Sequence, residues 1–215
     1  MSGRKRGKPR CETCFMKPVF CICDAAAECK QTLTTKTKVL LVCHHTEIRK
    51  TTNTGRLAEL CLPHSQIFIR GLQDSHASLE DYFAPENSLL LYPSEDSIDI
   101  RKLPLIHHQP YTLIVPDGNW RQASKVAQRE ACLRPIPKVH IEDGGLTQYH
   151  LRTETKDGGL ATFEAIMRAL KHLEGEFCYN KLKSVFDLMV ERTLLSRRGV
   201  VDPEIKLSSL RALTS

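Results

Sequence analysis

The stretch Leu113-Ile114-Val115-Pro116-Asp117-Gly118-Asn119-Trp120 decides how the chain folds. Its first half is a continuous apolar run, the pattern of a strand buried on both faces. From Asn119 onward apolar positions recur at three- and four-residue spacing as far as Leu133, the pattern of a helix with one buried face. A strand that gives way to a helix within three residues is the repeating unit of an α/β protein. Gly118 permits a backbone conformation that other residues avoid, and Asn119 is a good N-cap whose side chain accepts from the first helical turn. The open amides of that turn suit an anionic group. Asp117 stands at the carboxyl end of the strand, and Trp120, the single tryptophan, offers a flat wall for a purine or a stacked base. Taken alone such a turn is ordinary helix-start chemistry, so its meaning depends on what the fold brings beside it.

Outward from this unit, apolar runs at 39–43, 66–69, 88–92, 111–115 and 139–141 predict short strands, and helical spacing predicts helices over 54–61, 119–133, 162–173 and 180–198. Strands interleaved with helices predict an α/β fold with a mainly parallel sheet and flanking helices, in which ligands gather beyond the carboxyl ends of the strands. Three other stretches have that strand-end character. Leu91-Tyr92-Pro93-Ser94-Glu95-Asp96 follows one apolar run; His44-His45-Thr46-Glu47 follows another and leads to Thr52-Asn53-Thr54-Gly55-Arg56; Gly158-Gly159-Leu160-Ala161-Thr162-Phe163-Glu164 opens a helix. Each also reads as a plain turn or cap. The histidines have no thiol or carboxylate at zinc-like spacing and are expected to be polar turn residues, not metal ligands.

Residues 1–30 differ from the rest: a basic leader (Arg4, Lys5, Arg6, Lys8, Arg10) precedes Cys11, Cys14, Cys21 and Cys23. Two thiols separated by two residues grip one metal from a tight turn, and a second close pair completes a tetrahedral thiolate set, for which zinc is the natural occupant. Four protein ligands leave no open position, so the metal is expected to be structural. The segment has too few apolar residues for a core of its own, and metal binding would order it. The expected organisation is a leader and four-cysteine zinc-binding module at 1–30 and a larger domain at 31–215.

Composition narrows the class. Of 215 residues 41% are hydrophobic and 26% charged, a balance that supports a packed core and excludes a chain disordered throughout. No apolar run approaches the roughly 20 residues that cross a bilayer, and the first ten residues have no apolar stretch behind their charge, so no membrane contact and a cytoplasmic location are expected. Nine cysteines, an odd number, including Cys43, Cys61, Cys132 and Cys178 in strand-like or helical stretches, are expected to be reduced thiols. The formal charge of +6 favours an acidic partner. Arg121, Lys125 and Arg129 recur every four residues on one helix face, a stripe able to follow a phosphate backbone or simply to face water. The basic leader and the cysteine module offer a second basic surface, and Arg49, Lys50 and Arg56, which flank the Thr-Asn-Thr-Gly turn, offer a third.

In this order, the cysteine cluster, the His-rich turn before Thr52-Asn53-Thr54-Gly55-Arg56, the Tyr92-Pro93-Ser94 turn, Asp117-Gly118-x-Trp120 and Leu160-Ala161-Thr162-Phe163-Glu164 resemble the DTW-domain family of tRNA-uridine aminocarboxypropyltransferases. The likeness covers nearly the whole chain. Asn119 replaces the threonine of the family's signature while keeping its capping role, and His44-His45 stands where many relatives have His-Pro. What the resemblance implies is a SPOUT-like domain whose carboxyl-terminal part threads a trefoil knot, with S-adenosylmethionine enclosed by Leu91, Tyr92, Pro93 and Ser94, by Pro116, Asp117, Gly118 and Trp120, and by Leu160, Ala161 and Thr162. It also implies a tRNA loop uridine as substrate. N3 of the uridine would take the 3-amino-3-carboxypropyl group and methylthioadenosine would leave, giving acp3U. Asp117 and Trp120 are the candidate catalytic residues. Partial burial against an aromatic wall raises a carboxylate's pKa and suits Asp117 to accept the N3 proton, the alternative being that it only orients its neighbours. The competing functions are an RNA methyltransferase of similar fold and a non-catalytic zinc-containing RNA-binding protein.

Overall fold

The apolar runs become the strands of one sheet, and the runs of three- and four-residue spacing become its covering helices. The computed structural model describes residues 9–48, 50, 53–71, 77–104, 109–142 and 160–200. In chain order these form α1 (Cys23–Thr32), β1 (Lys38–His44), α2 (Arg56–Cys61), β2 (Ser65–Arg70), β3 (Ser88–Leu91), β4 (Ile98–Asp99), β5 (Thr112–Asp117), α3 (Trp120–Arg129), β6 (Lys138–His140), α4 (Thr162–Glu174) and α5 (Glu176–Arg197). The six strands lie in the order β2-β1-β5-β3-β6-β4, and every pairing among them is parallel, as the interleaved pattern predicts.

Strand alternation splits the core in two. Val39, Leu41, Leu89, Leu113 and Val115 face α1, α2, α4 and α5. Leu40, Val42, Leu90 and Ile114 face the other way, onto Val126 and Ala127 of α3 and onto Leu133. Leu40, Leu41, Leu90, Leu113 and Ile114 are fully buried, each stabilising the fold by about 1.5–3 kcal/mol, so β1, β5 and β3 form a rigid centre. β1 and β5 run in register from Lys38 beside Thr112 to Cys43 beside Asp117, which brings Asp117 to the carboxyl edge of the central pair.

Several boundaries differ from the sequence pattern. The helix expected over 119–133 ends at Arg129, where Glu130 leaves helical geometry, and Ala131–Leu133 follows as a 3-10 turn. The helix expected from 54 starts at Arg56, and the one expected from 180 starts at Glu176, straight after Gly175 with φ +94. The helix α1 and the two-residue β4 have no counterpart in the predicted elements. α1 runs across residue 30 and carries Cys23 in its first turn. Met16, Phe20, Ile22, Ala26 and Cys29 join the core beneath α4 and α5. The cysteine-rich segment is also tied to α5 by an Arg192 side chain donating to the Cys21 carbonyl and by Lys17 Nζ donating to the Ser196 carbonyl at 3.3 Å. Arg4, Lys5, Arg6, Lys8, Arg49, Thr52, Gly158 and Gly159 lie outside the described residues, as do residues 143–159 and 201–215, where much of the expected knot would fall. Among the described residues no helix is long and apolar enough to cross a membrane.

Candidate functional site

Where β5 stops, Gly118 adopts φ +151, a backbone conformation that a side chain resists, and the chain turns directly into α3. Asn119 caps that helix: its Oδ1 accepts from Gln122 N at 3.0 Å while Gln122 Oε1 accepts from Asn119 N at 2.8 Å. The turn is thereby fixed at both ends, and its first side chain, Asp117, points inward with 5% exposure. Asp117 Oδ2 accepts from Asn53 Nδ2 at 2.7 Å and Oδ1 accepts from Thr162 Oγ1 at 2.6 Å. The carboxylate therefore joins three segments distant in sequence: the end of β5, the turn before α2 and the first residue of α4.

The surroundings of Asp117 are built to this contact. Asn53 Oδ1 accepts from Arg56 N at 3.2 Å, and its amide also donates to the Glu47 carbonyl at 3.3 Å. Thr54 Oγ1 accepts from Phe163 N at 3.3 Å, a second link between the α2 turn and α4. Gly55 has ordinary helical torsions, so its identity is a matter of space: a Cβ there would lie 2.6 Å from Leu41 Cδ2 and 2.8 Å from Asp117 Oδ2. Beside it, burial first and the Asp117 charge second push the Cys43 thiol well above its ordinary range, so Cys43 remains a protonated, unreactive thiol.

At the other end of the turn Trp120 is 42% exposed and stacks on Tyr92, ring centroids 5.5 Å apart at 24°. The Asp-Gly-Asn-Trp turn thus touches Thr162 through Asp117 and Tyr92 through Trp120, so residues of the three expected cofactor turns meet around it. Leu91, Tyr92 and Pro116 are buried, as is Ala161; Ser94, Gly118, Leu160 and Thr162 are half-buried and Pro93 is exposed. Between the carboxyl ends of β1, β2 and β5 and the start of α3 lies a cavity of roughly 320 Å³ lined by His44, Arg70, Gly71, Asp117, Gln122 and Lys125. Asp117 is the one carboxylate among the described lining residues.

The four amino-terminal thiols converge. Cys11 Sγ lies 3.6 Å from Cys23 Sγ and Cys14 Sγ 3.7 Å from Cys21 Sγ, and all four lie within 4.8 Å of one another. A tetrahedral zinc with Zn–S near 2.3 Å needs sulfur–sulfur edges of about 3.8 Å, so the donor set fits a metal of that kind. Backbone N–H groups of Cys14 and then Thr13 draw the Cys11 thiol down to about 6, which supplies a thiolate at neutral pH, whereas burial raises Cys14 and Cys23. Phe15 takes φ 60, the left-handed turn that closes the Cys11–Cys14 loop, with Phe15 N donating to the Cys11 carbonyl at 2.9 Å. All nine cysteines are free thiols.

The basic residues do not form one surface. Arg121, Lys125 and Arg129 lie along the exposed face of α3. Lys50 pairs with the buried Glu47 at 2.5 Å. The Arg56 guanidinium sits 3.5 Å from the Phe15 ring centroid, bridging the α2 turn to the cysteine loop. Sequence reading left Asn53, Gly55 and Phe15 out of the site. Asn53 and Gly55 stood inside a quoted segment, but nothing local announces a partner 64 residues away, and Phe15 gives no signal beyond its place between thiols.

The chain matches the DTW domain family over residues 8–194. It is similar to proteins named tRNA-uridine aminocarboxypropyltransferase 2. That of Drosophila melanogaster is 28% identical over 172 residues, 77% of this chain and 66% of that protein. That of Macaca fascicularis is 24% identical over 172 residues, 78% of this chain and 57% of that protein. That of Mus musculus is 24% identical over 176 residues, 80% and 58%. The chain thus spans less than two thirds of the length of each of these relatives. No solved structure matches the chain.

Proposed function

The chain belongs to the DTW domain family, and on that premise we propose that it is a tRNA-uridine aminocarboxypropyltransferase that moves the 3-amino-3-carboxypropyl group of S-adenosylmethionine to N3 of a tRNA loop uridine. The observation that carries this reading is the convergence on Asp117: three of the five segments that carry the likeness, around Asn53, Asp117 and Thr162, are hydrogen-bonded into one unit at the carboxyl edge of a parallel sheet. We further propose the division into a leader and zinc module at 1–30 and a catalytic domain at 31–215, a SPOUT-like course with a carboxyl-terminal knot for the latter, and a cytoplasmic setting, to which the free thiols are suited. The tetrahedral thiolate set, Cys11, Cys14, Cys21 and Cys23, would hold a structural zinc, which when bound supplies order and no open coordination position.

In the reaction proposed, S-adenosylmethionine is the co-substrate and its sulfonium the leaving group. The uridine N3 lone pair forms the new N–C bond to the arm carbon next to sulfur, and the C–S bond breaks with its electron pair going to sulfur, releasing methylthioadenosine. The N3 proton passes to Asp117 or through it to water. Asp117 is tied by two neutral donors and faces a cavity, so it holds the site together first and offers a remaining lone pair to the substrate second. Trp120 and Tyr92 present the flat surface for a ring. Correct positioning of the attacking atom is the larger part of the rate in such a displacement. The test is to incubate the protein with unmodified tRNA and S-adenosylmethionine and weigh the nucleosides. A uridine heavier by the aminocarboxypropyl group, with methylthioadenosine released, is expected. A methylated nucleoside would replace this reading by the methyltransferase, and tRNA that binds unchanged would replace it by the non-catalytic protein.

A further inference from the structure

The cavity between the ends of β1, β2 and β5 and the start of α3 adjoins the turns expected to enclose S-adenosylmethionine through Asp117, whose carboxylate both lines it and accepts from Thr162, while neither Tyr92-Pro93-Ser94 nor Leu160-Ala161-Thr162 lines it. Its volume, roughly 320 Å³, is at the low end of sites that hold a small organic ligand, about 300–1,000 Å³. Its lining is graded in charge. Arg70 and Lys125 stand with the His44 imidazole on one part of the wall, Asp117 and the Gln122 amide on another. Arg70 is balanced by Glu130, so the uncompensated positive charge is that of Lys125, which has no ion pair among the described residues. The Gln122 side chain is held by the helix cap through its Oε1, which leaves its NH₂ group as a donor of fixed origin.

From this lining we infer that the cavity is the seat of one unstacked nucleotide of the substrate RNA, the target uridine, with its phosphate against Lys125 and Arg70 and its uracil edge toward Gln122 and Asp117. The inference rests on the transferase reading and names the substrate group of that site. A uracil edge carries two carbonyl acceptors and one N3–H donor, which match the Gln122 NH₂ and the Asp117 carboxylate in kind. A base must leave the stack before its ring nitrogen can react, and a pocket at the edge of the sheet, reached from the surface, takes a single nucleotide but no helix. Lys125 is also the middle member of the basic stripe, with Arg121 and Arg129 each about 6 Å along the helix axis from it. The neighbouring phosphates of the strand would follow that stripe away from the cavity.

The experiment titrates the full chain with uridine 5′-monophosphate, uridine, inorganic phosphate and, separately, S-adenosylmethionine, following Trp120 fluorescence and the imidazole proton resonances of His44 and His45. A saturable His44 shift with the monophosphate, and uridine binding weaker by about tenfold, are expected, with Lys125→Gln erasing that difference and leaving S-adenosylmethionine affinity unchanged. Lys125 is exposed, so this variant keeps the fold; the same variant should raise KM for tRNA by about tenfold at constant kcat. Equal binding of nucleotide and nucleoside, no shift at about 10 mM monophosphate, or a loss of S-adenosylmethionine affinity in Lys125→Gln would each overturn the assignment. Nucleotide binding of the expected kind by a protein that transfers nothing to tRNA would support the seat while removing the transferase reading.

Discussion

Asp117 and Trp120 stand three residues apart and meet opposite surroundings. Asp117 is 5% exposed and tied to Asn53 and Thr162; Trp120 is 42% exposed and stacks on Tyr92. The same tight turn therefore assembles the site at one end and displays a surface at the other. The lesson is that a residue from a signature segment need not touch a ligand to be indispensable. The buried end of the turn is held by contacts from two other segments, and its other end stays partly open to solvent.

The sharpest way to break this comparison is Asp117→Ala. It removes the acceptor of two half-buried donors, so a loss of about 2–3 kcal/mol of stability is expected by urea unfolding, together with loss of activity. A variant as stable as the parent would show that the three segments hold together without the carboxylate. Gly55→Ala comes next: a methyl group 2.8 Å from Asp117 Oδ2 must displace either the carboxylate or Leu41, at about 2 kcal/mol, in the same unfolding measurement. A double-mutant cycle on Phe15→Ala and Arg56→Ala should return a coupling of about 1 kcal/mol in thermal unfolding of the zinc-loaded protein. Loss of that coupling on chelation would sharpen the picture, since the cysteine loop would then be what holds Arg56 in place. Smallest in stability is Trp120→Ala, expected within about 1 kcal/mol of the parent yet weaker in transfer or RNA binding by tenfold or more, measured by nucleoside mass spectrometry.

How much of this was legible in the sequence varies with the length scale. The central strands declared themselves because 39–43 and 113–115 are continuously apolar, a pattern that burial on both faces explains. β4 was invisible because two residues carry no periodicity. α1 was missed because its buried stripe, Ile22, Ala26, Cys29 and Leu33, carries only small residues within the helix itself, and propensity alone rarely decides a short helix. The turn at Asp117 was readable from Gly118 and Asn119, but its partners were not, since local spacing does not encode which distant segments meet. Arg56 was read from its charge as an RNA contact; its place on the Phe15 ring depends on a left-handed loop residue that the sequence does not flag.

The contacts from the cysteine loop to α5 have a consequence for how the molecule is made. Cys21 and Lys17 are bound by residues 171 and 179 positions later in the chain. During synthesis the loop and its four thiols emerge first, while the surface that receives them is completed only when α5 has left the ribosome. At about 5–20 residues per second, the thiols spend on the order of ten seconds or more without their docking partner. Early metal capture would shield these thiols from oxidation over that interval, and zinc supply during translation would then set the yield quite apart from anything the metal does for the finished protein.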